Sequence, residues 1–284
     1  MQRFDKHDEQ PDCQAPGQWR NLSSWGMMAL SIQGDSMFDD LKGKVVVVTG
    51  GVTGIGGAAA LAFAEAGAKV LAQYFGGGPE LAKIEAAGIA TIKLDLTAAT
   101  APKALIDAAI GRFGRIDVLV NNAGSLVARV PVTELDDEFV DKVFDLNCRQ
   151  LIHCCRIAAG LMKGQGSGNI INVTSIAARN GSSPGGSVYA GAKAFVSAFS
   201  KTLAKELVSH GIRVNCVSPG TIHTAFHDRF SDEAKREAAR KTIPMQRLGL
   251  AEDCAGTFLY LASDRASGYV TGQVIEVNGG QLMP

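Results

Sequence analysis

A tyrosine, a lysine and a serine in the second half of the chain have the types and spacing that proton transfer requires. Tyr189 and Lys193 are four residues apart, and Ser175 precedes Tyr189 by fourteen residues. On a helix, residues four apart lie on the same face, one turn apart. An unperturbed phenol titrates near pH ~10, so it works at neutral pH only where a positive charge favours the phenolate. We expect Lys193 to supply that charge and to lower the pKa of Tyr189.

The spacing alone also fits a core tyrosine beside a solvated lysine, so the residues upstream decide between the two interpretations. Residues 44–57 (KVVVVTGGVTGIGG) join a short apolar run to a glycine-dense turn, and a small-residue helix pattern follows. The run is typical of a buried parallel strand, and Gly50, Gly54 and Gly56 allow a sharp turn close to a ligand. The positive end of the following helix favours a bound pyrophosphate over mere tight packing of strand on helix.

Further motifs follow in chain order. They are Thr49-Gly50-x-x-x-Gly54-Ile55-Gly56, Asn121-Asn122-Ala123-Gly124, Asn147, Ser175, Tyr189-x-x-x-Lys193 and Pro219-Gly220. In type and order these motifs resemble the short-chain dehydrogenase/reductase family over about residues 38–280. The resemblance implies an NAD(P)-dependent oxidoreductase that transfers a hydride between a nicotinamide cofactor and a carbonyl or secondary alcohol.

Strand and helix patterns alternate along the chain, with one long helical stretch at about residues 136–163 and another helix at residues 251–262. Such alternation predicts an α/β, single-domain Rossmann fold, whose doubly wound parallel sheet has about seven strands and helices on both faces. Residues 37–284 would form this catalytic domain, with a substrate lid at about 225–248. Residues 1–36 would be a poorly ordered extension or an arm that contacts another subunit.

By resemblance, Tyr189 is the general acid or base, Ser175 hydrogen-bonds the reacting oxygen, Lys193 also holds the nicotinamide ribose, and Asn147 holds a water that links Lys193 to solvent. Ligands of such sheets bind beyond the carboxyl ends of the strands. The residues expected to bind the cofactor are Gly50, Thr53, Gly54, Ile55, Gly56, Tyr74, Asp95, Leu96, Asn121, Ala123, Gly124, Tyr189, Lys193, Pro219, Gly220, Ile222 and Thr224.

Two of these residues have a structural alternative. Asp95, assigned to the adenine, could cap the following helix, and Asn121 with Asn122 could form a turn. The choice of dinucleotide also stays open, because Gln73-Tyr74-Phe75 ends the second strand without the carboxylate that would bind a ribose 2′-hydroxyl. The missing acid favours NADP(H), although no arginine stands nearby to bind a 2′-phosphate, and NAD(H) remains the alternative.

The substrate is less well defined. Polar side chains near the start of the lid, at His223, His227 and Arg229, suggest a sugar, polyol or hydroxy acid. The sequence as a whole resembles bacterial 3-oxoacyl-carrier-protein reductases, which implies a 3-oxoacyl thioester instead. A non-catalytic dinucleotide-binding sensor or scaffold is the rival interpretation, although such proteins usually lack part of the Ser-Tyr-Lys set.

Composition fits a soluble cytoplasmic enzyme. The formal net charge is zero and 46% of the residues are hydrophobic, so neither nucleic acid nor membrane is an expected partner. The six cysteines follow no metal-binding spacing, and no metal is expected. Ala190, Ala194 and Ala198 recur every four residues, and helices at 136–163 and 188–210 form the dimer contact in relatives, which predicts a homodimer or homotetramer.

Overall fold

Seven parallel strands form one sheet, in the spatial order Ala90–Lys93, Lys69–Tyr74, Val45–Thr49, Val118–Asn121, Gly168–Val173, Ile212–Pro219 and Val274–Val277. The computed structural model describes residues 37–77, 79–224 and 233–283. The strands are β1 Val45–Thr49, β2 Lys69–Tyr74, β3 Ala90–Lys93, β4 Val118–Asn121, β5 Gly168–Val173, β6 Ile212–Pro219 and β9 Val274–Val277. Two short strands, β7 Ile222–His223 and β8 Gly249–Leu250, pair separately in parallel. The predicted seven-stranded, doubly wound sheet is confirmed.

Helices connect these strands. They are α1 Gly54–Glu65, α2 Pro79–Ala86, α3 Ala101–Phe113, α4 Asp137–Phe144, α5 Gln150–Gln165, α6 Ala177–Asn180, α7 Ser187–Leu207, α8 Glu233–Thr242, α9 Ala251–Ala262 and α10 Asp264–Ser267. Short 3₁₀ turns span Asp39–Leu41, Val132–Glu134 and Val208–His210. Within the described residues, none of these helices has both the length and the apolar character needed to cross a membrane.

The sheet is buried on both faces. Val46 and Val48 pack into a core with α1 and α9, whereas Val47 packs into a second core with α3 and α5. Successive side chains of a strand point to opposite faces, so a strand between two layers of helix must be apolar throughout. This requirement accounts for the uninterrupted valine run of β1, whose five residues are all buried.

The site lies where the chain order reverses in the sheet. Strand β1 pairs with β2 on one side and with β4 on the other, and both pairs are parallel. Their carboxyl ends therefore open a crevice between the two halves of the fold, which is where ligands of such sheets bind.

The long helical stretch expected at 136–163 contains a local change of geometry. α4 leads into a π-helical turn, Asp145–Arg149, before α5 continues to Gln165. The wider turn carries Asn147 and Cys148, and both side chains are buried. Predictions for residues 1–36 and for the lid segment 225–232, which includes His227 and Arg229, lie outside the described residues.

Candidate active site

The turn between β1 and α1 is shaped to hold an anion. Gly50 and Gly54 have φ of +58° and +53°, in the left-handed region where side chains are strained. A Cβ at Gly50 would lie 2.9 Å from Asn122 Nδ2. The side chain of Thr53 does not cap α1, and the first turn of that helix carries no acidic residue. The N–H groups and the positive dipole end of α1 are therefore available to a phosphate, and the turn fits a dinucleotide.

Gln73 holds this turn from the side of β2, a role that the sequence analysis missed. Its Oε1 accepts from Gly50 N at 2.9 Å, and its Nε2 donates to Leu94 O at 2.6 Å. The side chain is only 2% exposed. Gln73 thus joins the glycine turn to the end of β3, and a buried amide at the end of an apolar strand was the signal that could have revealed it.

The end of β2, where the adenosine of the cofactor is expected to bind, carries no charged side chain. Strand alternation directs Gln73 and Phe75 to one side and Tyr74 to the other. Phe75 lines the cavity and is 64% exposed, whereas Tyr74 packs against the core. Phe75 thus lies in the wall where the sequence pattern placed Tyr74, and the contact of Tyr74 with the cofactor remains a prediction.

Asp95 both lines the cavity and caps a turn. Its Oδ1 accepts from Thr97 N at 3.0 Å and from Thr97 Oγ1 at 2.6 Å. The structural alternative, that Asp95 caps the following helix, is not borne out, because Thr100 holds the N-cap position of α3.

The ends of β1 and β4 are joined through a threonine hydroxyl and an amide. Thr49 Oγ1 accepts from the backbone N–H groups of Asn122 and Ala123 at 2.9 and 3.0 Å. Asn122 Nδ2 returns hydrogen bonds to the carbonyls of Thr49 and Gly50, both at 3.0 Å. Because both chain ends are held together, the glycine turn and the segment 122–124 form one wall of the crevice.

Ser175 and Tyr189 are brought together, as the family resemblance implies. Ser175 follows β5, Tyr189 lies in the first turns of α7, and their side chains are hydrogen-bonded. Burial raises the pKa of Tyr189 to about 12, and the hydrogen bond with Ser175 opposes that rise. Burial and the Ser175 hydrogen bond account for this pKa, and the expectation that the charge of Lys193 lowers it remains a prediction. The phenol consequently holds its proton at neutral pH.

Lys193 lies one turn further along α7 and is buried, at 4% exposure. Its Nζ donates to Val173 O at 3.0 Å and lies 5.8 Å from the centroid of the Tyr189 ring. Burial lowers the pKa of Lys193 to about 8. The ammonium form still predominates at pH 7, next to the phenol.

Asn147 reaches the site from the π-helical turn and holds the backbone of Ser125. Its Oδ1 accepts from Ser125 N at 3.2 Å, and its Nδ2 donates to Ser125 O at 2.8 Å and to Val143 O at 2.9 Å. A Cβ at Gly124 would lie 2.6 Å from Asn147 Oδ1 and 3.0 Å from Lys193 Nζ. Gly124 therefore keeps open the space that Asn147 and Lys193 share.

These groups surround a cavity of about 1300 Å³. Most of the predicted site residues line it: Gly50, Thr53, Gly54, Ile55, Asp95, Leu96, Ala123, Gly124, Ser175, Tyr189, Lys193, Pro219, Gly220, Ile222 and Thr224. Three further predicted residues do not line the cavity but lie behind its wall and support it: Gly56, Asn121 and Asn147. Asn121, for example, donates from Nδ2 to Asn172 Oδ1 at 2.8 Å beneath the sheet edge. Among the described residues, no group of three or more His, Cys, Asp or Glu side chains could hold a metal ion.

Comparisons with known proteins agree with this geometry. A family model described as enoyl-(acyl carrier protein) reductase matches residues 50–281. The 3-oxoacyl-[acyl-carrier-protein] reductase of Synechocystis sp. is 40% identical over 249 residues, which cover 86% of this chain and 98% of that protein. The corresponding reductase FabG of Staphylococcus aureus is 39% identical over 250 residues, with coverages of 84% and 98%.

A solved structure of the NADH-dependent reductase A1-R′, responsible for alginate metabolism, is 36% identical and has a TM-score of 0.78, with coverage of 87% of this chain and 100% of that one. Another structure of that reductase is complexed with NAD. The chain belongs to the short-chain dehydrogenase/reductase family. It is accordingly an NAD(P)-dependent oxidoreductase.

Gly124→Ala should impair catalysis, because the new methyl group would displace Asn147 or Lys193. A displacement of about 1 Å near reacting groups can cost about 10²-fold in rate, so we expect a loss of that order in kcat/KM. The matched control is Gly111→Ala on α3, where an added Cβ meets nothing within 4 Å. Steady-state kinetics of both variants test this expectation, and equal activities would contradict it.

Proposed function

We propose that this oxidoreductase reduces a carbonyl group of a small polar substrate and that Tyr189 is its proton donor. The observation that carries the proposal is the buried phenol, which burial keeps protonated while Ser175 is hydrogen-bonded to it. A positioned acid next to a wall that fits a dinucleotide is the arrangement that carbonyl reduction needs.

The proposed mechanism assigns each side chain one task. When bound, the nicotinamide ring supplies the hydride to the carbonyl carbon. Ser175 donates a hydrogen bond to the carbonyl oxygen, and Tyr189 transfers its phenolic proton to that oxygen as negative charge develops there. The buried ammonium of Lys193 stabilises the phenolate that remains on Tyr189. The assignment of a relay water to Asn147 remains a prediction.

Polar groups on part of the cavity wall are the observation that favours a hydrophilic substrate, although Leu126, Val127, Phe139 and Leu146 also line it. Beyond Ser175 and Tyr189 the lining includes Asn180, Ser182, Ser183 and Gln281, together with the cation of Lys142. Hydroxyl and amide groups of this kind suit a sugar-derived or polyol-derived carbonyl compound. The relatives named as 3-oxoacyl-[acyl-carrier-protein] reductases favour a second candidate, a 3-oxoacyl thioester.

The structure around β2 supports use of either dinucleotide, with a small preference for NADP(H). Both ends of the Gln73 amide already take part in hydrogen bonds, and the described residues at the end of β2 include no carboxylate that would bind a ribose 2′-hydroxyl. Phe75 neither repels nor binds a 2′-phosphate. The NADH-dependent neighbour A1-R′ supports the alternative, NAD(H).

A turnover panel tests the proposed function. Purified protein is mixed with NADPH or NADH and with keto sugars, keto acids, simple ketones and a 3-oxoacyl thioester, and dinucleotide oxidation is followed by absorbance. We expect turnover of at least one polar carbonyl, with kcat/KM values for the two dinucleotides within about tenfold of each other, or about 1.4 kcal/mol. Binding of dinucleotide without turnover of any substrate would instead support the sensor or scaffold.

We further propose that the enzyme assembles through α4, α5 and α7 as a homodimer or homotetramer. Exposed apolar side chains lie on these helices, including Phe144 (37%), Leu161 (36%) and Phe195 (37%). The rings of Phe195 and Phe199 are stacked, with centroids 5.7 Å apart.

The five cysteines in the described residues are free and buried, which agrees with the cytoplasm as the proposed compartment.

Phe195→Glu should therefore dissociate the assembly, because a charge would be buried at an apolar contact. Val132→Glu is the control, since Val132 is exposed (74%) in a 3₁₀ turn outside these helices. Sedimentation at micromolar concentration measures the effect. A wild-type monomer, or a Phe195→Glu variant that assembles like the wild type, would contradict the proposed interface.

The pH dependence of carbonyl reduction should reflect Lys193. Its ammonium is present below a pKa of about 8 and is lost as the pH rises through that value. Tyr189, with a pKa of about 12, stays protonated over the same range. We expect kcat/KM measured from pH 6 to 10 to fall above about pH 8. A rate that stays constant or increases through pH 8 would show that the ammonium is not required.

A further inference from the structure

We propose that Gln150 is a positioning residue for the reaction: its side-chain amide fixes the π-helical turn that carries Asn147 and holds the backbone next to Gly124. This inference rests on the proposed function, because it assigns Gln150 a role in the same site. Gln150 does not line the cavity, and its side-chain amide donates hydrogen bonds to the carbonyls of Ala123 and Leu146.

The first step is the altered hydrogen bonding of the turn. In a continuous α-helix the N–H of Gln150 would donate to the carbonyl of Leu146, four residues back. Here it donates to Asp145 O, five residues back, as a π-helical turn requires. The carbonyl of Leu146 accepts from Gln150 Nε2 at 3.2 Å. The side-chain amide of Gln150 thus replaces its main-chain N–H as the hydrogen-bond donor to the carbonyl of Leu146.

The second step is the link across to β4. The same Nε2 of Gln150 donates to Ala123 O at 3.1 Å. One turn earlier, Asn147 holds both the N–H and the carbonyl of Ser125. The two amides therefore hold the backbone on either side of Gly124, whose Cα faces Asn147 Oδ1 and Lys193 Nζ.

The oxygen of the Gln150 amide, unlike its nitrogen, makes no hydrogen bond within the described residues. This Oε1 atom is buried, and the side chain is 2% exposed. A buried, unpaired carbonyl opposes folding, and an apolar side chain of similar size would avoid that penalty. Gln150 therefore contributes more to the order of the site than to the stability of the fold.

Gln165 provides a matched control at the other end of the same helix. Its amide also binds the backbone of a residue before β4, with Nε2 to Ile116 O at 2.8 Å and Ile116 N to Oε1 at 3.3 Å. Ile116 lies before the amino end of β4, away from the cavity. Both ends of the Gln165 amide are satisfied, so its replacement should affect stability without affecting chemistry.

The test compares Gln150→Met with Gln165→Met, using the carbonyl substrate and dinucleotide that give wild-type turnover. We expect kcat to fall about 10-fold to 100-fold in Gln150→Met, with a smaller change in KM and a thermal midpoint at or above that of Gln165→Met. Backbone amide exchange of residues 123–125 and 145–150, in protein without added ligand, should accelerate only in Gln150→Met. Equal kcat values in the two variants, or unchanged exchange, would overturn the proposal.

Gln150→Glu keeps the test decisive if the methionine variant does not fold. A glutamic acid facing the carbonyls of Ala123 and Leu146 can donate only when protonated, and burial favours the protonated form. Its activity relative to wild type should therefore decline as the pH rises from 5 to 8. A ratio that does not change with pH would count against a donor role. Absence of wild-type turnover would refute the proposed function and leave amide exchange as the separate test of the positioning role.

Discussion

The buried ammonium of Lys193 is the constraint around which the site is organised. A charged group removed from water is costly unless polar atoms surround it, and here the Nζ donates to the carbonyl of Val173 at the end of β5. This contact places α7 against the carboxyl end of the sheet, and Thr174 strengthens the junction by donating to Lys193 O at 2.8 Å. Tyr189, one turn earlier, is thereby placed beside Ser175. Gly124, which has no side chain, leaves room there for the Asn147 amide and the ammonium.

Much of this arrangement could be predicted because it depends on local spacing and on chain order. The valine run of β1 and the glycines that follow it define a buried strand and an open turn. The separation of Tyr189 from Lys193 places them on one helical face, and the doubly wound order brings Ser175 to the same sheet edge. The helix predicted at residues 251–262 likewise has the bounds Ala251–Ala262.

The rest depends on contacts between residues far apart in sequence. No pattern in the chain marks the π-helical turn, which arises where Asn147 and Gln150 bind the backbone of residues 123–125. In the sequence, Gln73 is notable only because no carboxylate follows at the end of the second strand. The folded structure shows that its amide joins Gly50 to Leu94. The raised pKa of Tyr189 likewise results from burial of the phenol in the folded chain.

The most direct test of the central claim, that Tyr189 gives its proton to the substrate carbonyl, is single-turnover reduction by Tyr189→Phe. The substitution removes one oxygen and leaves the glycine turn intact. We predict a loss of about 10²-fold to 10⁴-fold in the rate of hydride transfer, with the Kd of the dinucleotide nearly unchanged. Retention of more than about a tenth of the wild-type rate would contradict the account, since a lost proton donor normally costs far more.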